Sequence, residues 1–310
     1  MRRRMFLLLL SVALFRVAVA TSPAGAQGVE VLEATITDLQ NAMAAGRVTA
    51  VQLVDAYLAR IAAYDQQGPA LNSMIRLNPR AREEAAALDR ERAQRGPRGP
   101  LHGIPVILKD NFDTGDLPTT AGSIALASAV PPDDGFVVKK LRDAGAVILG
   151  KANMHELAAG ITTISSLGGQ TRNPYDPRRC PGGSSGGTGA AIAASFAAVG
   201  WGTDTCGSIR IPAAFGSLYG LRPTQGLVSR DGVVPLSHTQ DIPGPLARTV
   251  TDLAIALDAT IGFDPADSAT HVLRGRALPR FADSLRADAL RGARFGVLTN
   301  LFTGTDSDVD

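Results

Sequence analysis

A single stretch, Cys180–Pro212, constrains the fold more than any other; it reads CPGGSSGGTGAAIAASFAAVGWGTDTCGSIRIP. Glycines surround Ser184 and Ser185, an Ala-rich apolar run follows over Thr188–Ala197, and a second polar cluster then carries Ser208. Glycines at that density mark backbone that must turn tightly or approach another group closely. A flexible linker would have no helix-like segment directly behind it. The stretch therefore reads as a strand–loop–helix unit with two serine-bearing turns.

The rest of the chain alternates helix and strand patterns. Thr37–Gln40 and Thr49–Gln52 both fit the reciprocal capping box that opens a helix. The second leads into apolar Val51, Val54, Tyr57, Leu58 and Ile61 at three-to-four spacing. Asn78-Pro79 predicts a third helix, capped by Asn78, through Arg82–Gln94 to Gly96. The apolar run Ile104–Leu108 predicts a buried strand that ends on Lys109. Further helices are expected at Asp134–Ala144, Asn153–Ala159, Pro212–Tyr219 and Thr249–Ile261, and strands at Ala146–Leu149 and Arg294–Leu298. Ser165–Pro181 reads as a polar loop. This alternation predicts an α/β fold with a mixed central sheet flanked by helices on both faces.

Composition matters mainly at the N-terminus. Residues 1–26 carry Arg2, Arg3, Arg4 and Arg16 and no acid, so the remainder holds 27 Lys and Arg against 29 Asp and Glu. A near-neutral remainder offers no basic surface for nucleic acid. The Arg-rich start, the apolar run Met5–Phe15 and the small residues at Ala18-Val19-Ala20 and Ala24-Gly25-Ala26 predict an export signal cleaved after Ala26. Arg3-Arg4 adds a twin-arginine flavour. The run is too short to span a bilayer, so an exported, periplasmic or secreted protein without stable membrane insertion is expected. Two cysteines, Cys180 and Cys206, make no disulfide framework, and buried free thiols are expected. His102, His155, His238 and His271 lack metal-ligand spacing and read as structural or surface residues; neither metal nor other cofactor is implied.

Three motifs in order carry a family resemblance: Gly103–Asp110 (GIPVILKD), the GGSSGG element around Ser184, and Gly202–Arg210 (GTDTCGSIR), whose Ser208 lies 24 positions after Ser184. The chain resembles the amidase-signature family of serine hydrolases from about Ile36 to its end. The resemblance implies one amidase-signature domain over residues 27–310. Because family members continue well beyond this point, the domain is expected to be incomplete at its C-terminus.

The resemblance also implies roles. Ser208 is the nucleophile, Ser184 the proton relay on a cis peptide bond, and Lys109 the neutral base. A serine hydroxyl needs such a base, and burial after Val-Ile-Leu is the environment that neutralises a lysine. Backbone N–H groups of Thr205, Cys206, Gly207 and Ser208 are the implied oxyanion donors. Asp204 and Arg210 brace the loop, and Ser185 and Thr203 are expected to touch the site. Cys206 departs from the family, which most often has glycine there, and its Cβ would strain the turn if φ were positive. The implied reaction is hydrolysis of a carboxamide C–N bond in a small-molecule or peptide amide. The export signal argues against the family's cytosolic role on charged tRNA. Two other readings stand beside it. One is an inactive or ligand-binding remnant. The other takes Gly182–Gly186 as the G-x-S-x-G elbow of an esterase, which the loop-like Arg172–Pro181 disfavours because that elbow follows a strand.

Overall fold

The computed structural model describes residues 30–299, so the expected export signal lies outside the described residues. Seven α-helices and eight strands are found among them. In chain order they are α1 (Ile36–Ala44), α2 (Ala50–Tyr64), β1 (Met74–Leu77), α3 (Ala81–Arg95), β2 (Pro105–Lys109), α4 (Phe136–Asp143), β3 (Val147–Ala152), β4 (Ile164–Ser165), β5 (Gly169–Gln170), α5 (Gly186–Ala193), β6 (Val199–Asp204), α6 (Arg210–Phe215), β7 (Tyr219–Gly220), β8 (Ile242–Ala247) and α7 (Val250–Thr260).

The main sheet has the order β1-β3-β2-β6-β8-β7. Its centre, β3-β2-β6, is parallel, and β1, β8 and β7 join antiparallel. The central strands read as continuous apolar runs because helices cover both faces. Val106, Ile107, Leu108, Ile148 and Trp201 are fully buried. Burial of each such aliphatic side chain contributes about 1.5–3 kcal/mol, so the strand that presents Lys109 is anchored deep in the core. The first turn of α5 packs directly on the loop after β3. A Cβ on Gly187 would sit 2.0 Å from the Asn153 carbonyl oxygen, which explains the glycines behind the serine pair.

Several elements differ from the sequence expectation. The first capping box is Thr35 with Asp38, two residues before Thr37. The Ile36 N–H there donates to Asp252 Oδ1 of α7 at 3.0 Å, a long-range bond that favours the earlier start. The box at Thr49 and Gln52 is present, and Thr49 caps α2. Asn78 does not cap α3; its Oδ1 accepts from the Arg80 N–H at 2.9 Å in a turn before the helix. Phe136 replaces Asp134 as the start of α4, and the predicted helix at Pro212–Tyr219 begins at Arg210 and stops at Phe215. Arg294–Leu298 is unpaired, with Phe295, Val297 and Leu298 exposed.

The most informative difference is at Asn153–Ala159, where only a short 3-10 turn forms over Glu156–Ala158. Backbone groups that a helix would use go to the serine turn instead. The Asn153 carbonyl accepts from the Gly187 N–H, and the His155 N–H donates to the Ser184 carbonyl. Leu157 and Ala158 take positive φ, 51° and 57°, as the chain turns away.

Candidate active site

Lys109 ends β2 with no solvent exposure. Its Nζ donates to Ser184 Oγ at 2.7 Å and to Thr203 Oγ1 at 2.7 Å, and lies 3.4 Å from the Thr203 carbonyl. Burial drives its pKa from 10.5 down to about 7, against the pull of the more distant Asp241 and Asp204 carboxylates. Among the described residues no carboxylate touches it. An amine surrounded by hydroxyls can release its proton near neutral pH.

Ser184 is fully buried and follows a cis peptide bond from Gly183. Ser185 joins the two serine turns: its N–H donates to the Ser208 carbonyl at 3.1 Å, and its hydroxyl exchanges bonds with the Thr203 backbone. Ser208 is almost buried, at 6% exposure. Among the described residues its hydroxyl has no hydrogen-bond partner, and the bond that ties Ser208 to the serine pair is the one its carbonyl accepts from the Ser185 N–H.

The turn before Ser208 is organised by Asp204. Its carboxylate accepts from the Gly207 N–H at 2.7 Å, the Ile209 N–H at 3.1 Å and the Arg210 guanidinium at 3.1 Å. Burial pushes the Asp204 carboxyl up, but the Arg210 and backbone bonds outweigh it and hold the pKa below its ordinary value. This corrects one expectation: the Gly207 N–H is committed to Asp204 and is not free for an oxyanion. The N–H groups of Thr205, Cys206 and Ser208 have no acceptor among the described residues. Gly207, not Cys206, takes the left-handed backbone, at φ 122°, so the Cys206 side chain adds no strain. Both cysteines are free, but neither is buried as expected. Cys206 points outward from the turn, and Cys180 lines a surface cavity of about 560 Å³ with Tyr175 and Phe215.

Sequence reasoning missed three participants. Asn111 Nδ2 donates to Thr203 Oγ1 at 3.1 Å; it lies two residues after Lys109, just past the GIPVILKD motif, where spacing along the strand end was a usable signal. Asp241 Oδ1 accepts from Thr205 Oγ1 at 2.5 Å. Thr163 Oγ1 accepts from the Gly186 N–H and donates to the Gly182 carbonyl, holding both flanks of the serine pair. Asp241 and Thr163 carry no sequence signal. Among the histidines, His102 is structural: it is buried, with Nδ1 accepting from the Arg98 N–H and Nε2 donating to the Leu88 carbonyl. His238 and His271 are exposed.

A mixed α/β sheet that buries a lysine against a paired-serine turn defines a narrow class of folds, the amidase-signature one. The family model for Amidase matches residues 52–310, and the chain belongs to that family. It is 44% identical over 273 residues to a glutamyl-tRNA(Gln) amidotransferase subunit of Thermobifida fusca, covering 88% of this chain and 54% of that protein. Among solved structures, the peptide amidase of Stenotrophomonas maltophilia matches with a TM-score of 0.82 at 50% identity, over 84% of this chain and 54% of the other. An amidase family protein from Bacillus anthracis matches with a TM-score of 0.81 at 42% identity, over 84% and 53%. The chain thus spans about half the length of these relatives.

Proposed function

We propose that this chain hydrolyses a carboxamide C–N bond through a serine acyl-enzyme. The observation that carries the reading is the 2.7 Å contact between a fully buried Lys109 Nζ and Ser184 Oγ. Ser208 Oγ attacks the amide carbonyl carbon, and its proton passes through Ser184 to Lys109. The carbonyl oxygen takes up negative charge against the N–H groups of Thr205, Cys206 and Ser208, and donors fixed in advance stabilise that charge without reorganising. Collapse breaks the C–N bond, and the proton returns through Ser184 to the leaving amine. Water then cleaves the acyl ester by the same relay, its proton going to Lys109 and back to Ser208.

Peptide amidase and amidotransferase relatives are both named for amide chemistry, which supports this bond type. The near-neutral charge after residue 26 supports a small-molecule or peptide amide as substrate. The sequence at residues 1–26 supports export.

The test is intact-protein mass spectrometry after incubation with a fluorophosphonate, with Ser208→Ala as control. In that reaction Ser208 Oγ bonds to phosphorus, fluoride leaves, and the serine proton goes to Lys109. One adduct that the control lacks is expected. A cooperatively folded sample that forms none would overturn the proposal.

A further inference from the structure

We propose that Asp241 is a positioning residue that fixes the Thr205 end of the nucleophile turn while leaving the Thr205 N–H free. In the sheet, β6 and β8 pair rung by rung from Val199↔Ala247 to Asp204↔Ile242, and there the ladder stops. The next rung in that register is Thr205 opposite Asp241. A further backbone rung could engage the Thr205 N–H. Instead the two residues are joined through side chains, Thr205 Oγ1 donating to Asp241 Oδ1 at 2.5 Å. The bond locates the residue and consumes no backbone donor.

Asp241 is itself held. It is 4% exposed, its Oδ2 accepts from the Leu236 N–H at 2.8 Å and the Ser237 N–H at 3.0 Å, and its own N–H donates to the Ser237 carbonyl. A carboxylate with fixed partners on one side can orient a hydroxyl on the other. Asp204 does the equivalent work at the far end of the turn, through Gly207 and Ile209. The turn is therefore clamped at both ends by carboxylates, Asp204 at the end of β6 and Asp241 just before its antiparallel neighbour β8, and the donors at Thr205, Cys206 and Ser208 lie between or beside the clamps.

This inference rests on the proposed function for its purpose, although the clamp can be measured without any turnover. Thr205→Val replaces the hydroxyl with a methyl group of similar size, and Thr205→Ser keeps a hydroxyl at that position. Hydrogen exchange across residues 204–209 is expected to rise in Thr205→Val and Asp241→Ala and to return to the parent rate in Thr205→Ser. The second-order rate of fluorophosphonate labelling at Ser208 should fall about tenfold in Thr205→Val, as expected for misaligned oxyanion donors, and recover in Thr205→Ser. Parent-like exchange in Thr205→Val, or a Thr205→Ser variant that behaves like Thr205→Val, would overturn the clamp. Raised exchange in a chain whose parent takes no label would leave the clamp standing and sink the catalytic reading.

Discussion

Lys109 and Lys151 are two of only four lysines in the chain, and both are fully buried. They lie on adjacent parallel strands, with Leu108 opposite Lys151 and Lys109 opposite Ala152. Their neighbours differ. Lys151 Nζ is 3.4 Å from Asp110 Oδ1 and donates to Thr119 Oγ1 and the Pro118 carbonyl. Lys109 meets two hydroxyls and a carbonyl. Burial lowers the pKa of both, and for Lys151 the adjacent Asp110 is the main opposing pull. A contacting carboxylate favours the ammonium, whereas hydroxyls accept it without fixing its charge. One buried lysine thereby has a carboxylate in reach, and the other has hydroxyls and a carbonyl.

The largest effect that tests this contrast is the loss of Lys109. Lys109→Met should slow fluorophosphonate labelling of Ser208 by about 10²–10⁴-fold, the usual share of a general base. Stability should move the other way. With its folded pKa near 7 and an unfolded value of about 10.4, Lys109 binds more protons unfolded than folded between those limits. Stability therefore rises with pH across that window, by up to about 1.4 kcal/mol per pH unit, and is least below pH 7. Urea denaturation from pH 7 to 10 should show this slope in the parent and a flatter one in Lys109→Met. A parent with no slope and a labelling rate independent of pH around 7 would mean that Lys109 is not the neutral base.

Lys151→Met should do the opposite. Removing one partner of a buried pair strands the other charge and costs about 3–5 kcal/mol. Adding Asp110→Asn should recover much of that loss, because Oδ2 of Asp110 already accepts from the Thr120 and Gly122 backbone and an amide oxygen can keep those bonds. The readout is the urea midpoint. Equal midpoints for parent and Lys151→Met would erase the difference between the two lysines.

That difference is where sequence reading reaches its limit. Val106-Ile107-Leu108 precedes Lys109, and Val147-Ile148-Leu149-Gly150 precedes Lys151, so periodicity treats them alike. Motif order singles out Lys109 because Ser184 and Ser208 follow at the family's spacing. Nothing local singles out Lys151, whose counter-ion lies on another strand's end. The same reasoning accounts for the elements. The strands β2 and β3 and the helix α2 were legible because their signals are local: an apolar run, a capping box. The segment after Asn153 was not, because its backbone groups bond to Ser184 and Gly187, which are near only in space. Asp241 escaped for the same reason, since its register with Thr205 exists only once the sheet has formed.

The smallest effect belongs to an exposed lysine and sets the baseline for the other two. Lys139 on α4 pairs with Asp143 one turn on, at 3.3 Å, both side chains largely in solvent. An exposed i,i+4 pair contributes about 0.3–0.5 kcal/mol, and this one has the less favourable order. The acid is C-terminal to the base, so Asp143 sits at the helix end whose partial charge is already negative. Lys139→Ala should therefore change the urea midpoint by less than about 0.5 kcal/mol in free energy, and high salt should abolish even that. Labelling of Ser208 should be unchanged. A loss here comparable to that of Lys151→Met would show that the penalty follows lysine loss in general, and the contrast between a lysine beside a carboxylate and one among hydroxyls would no longer explain the molecule.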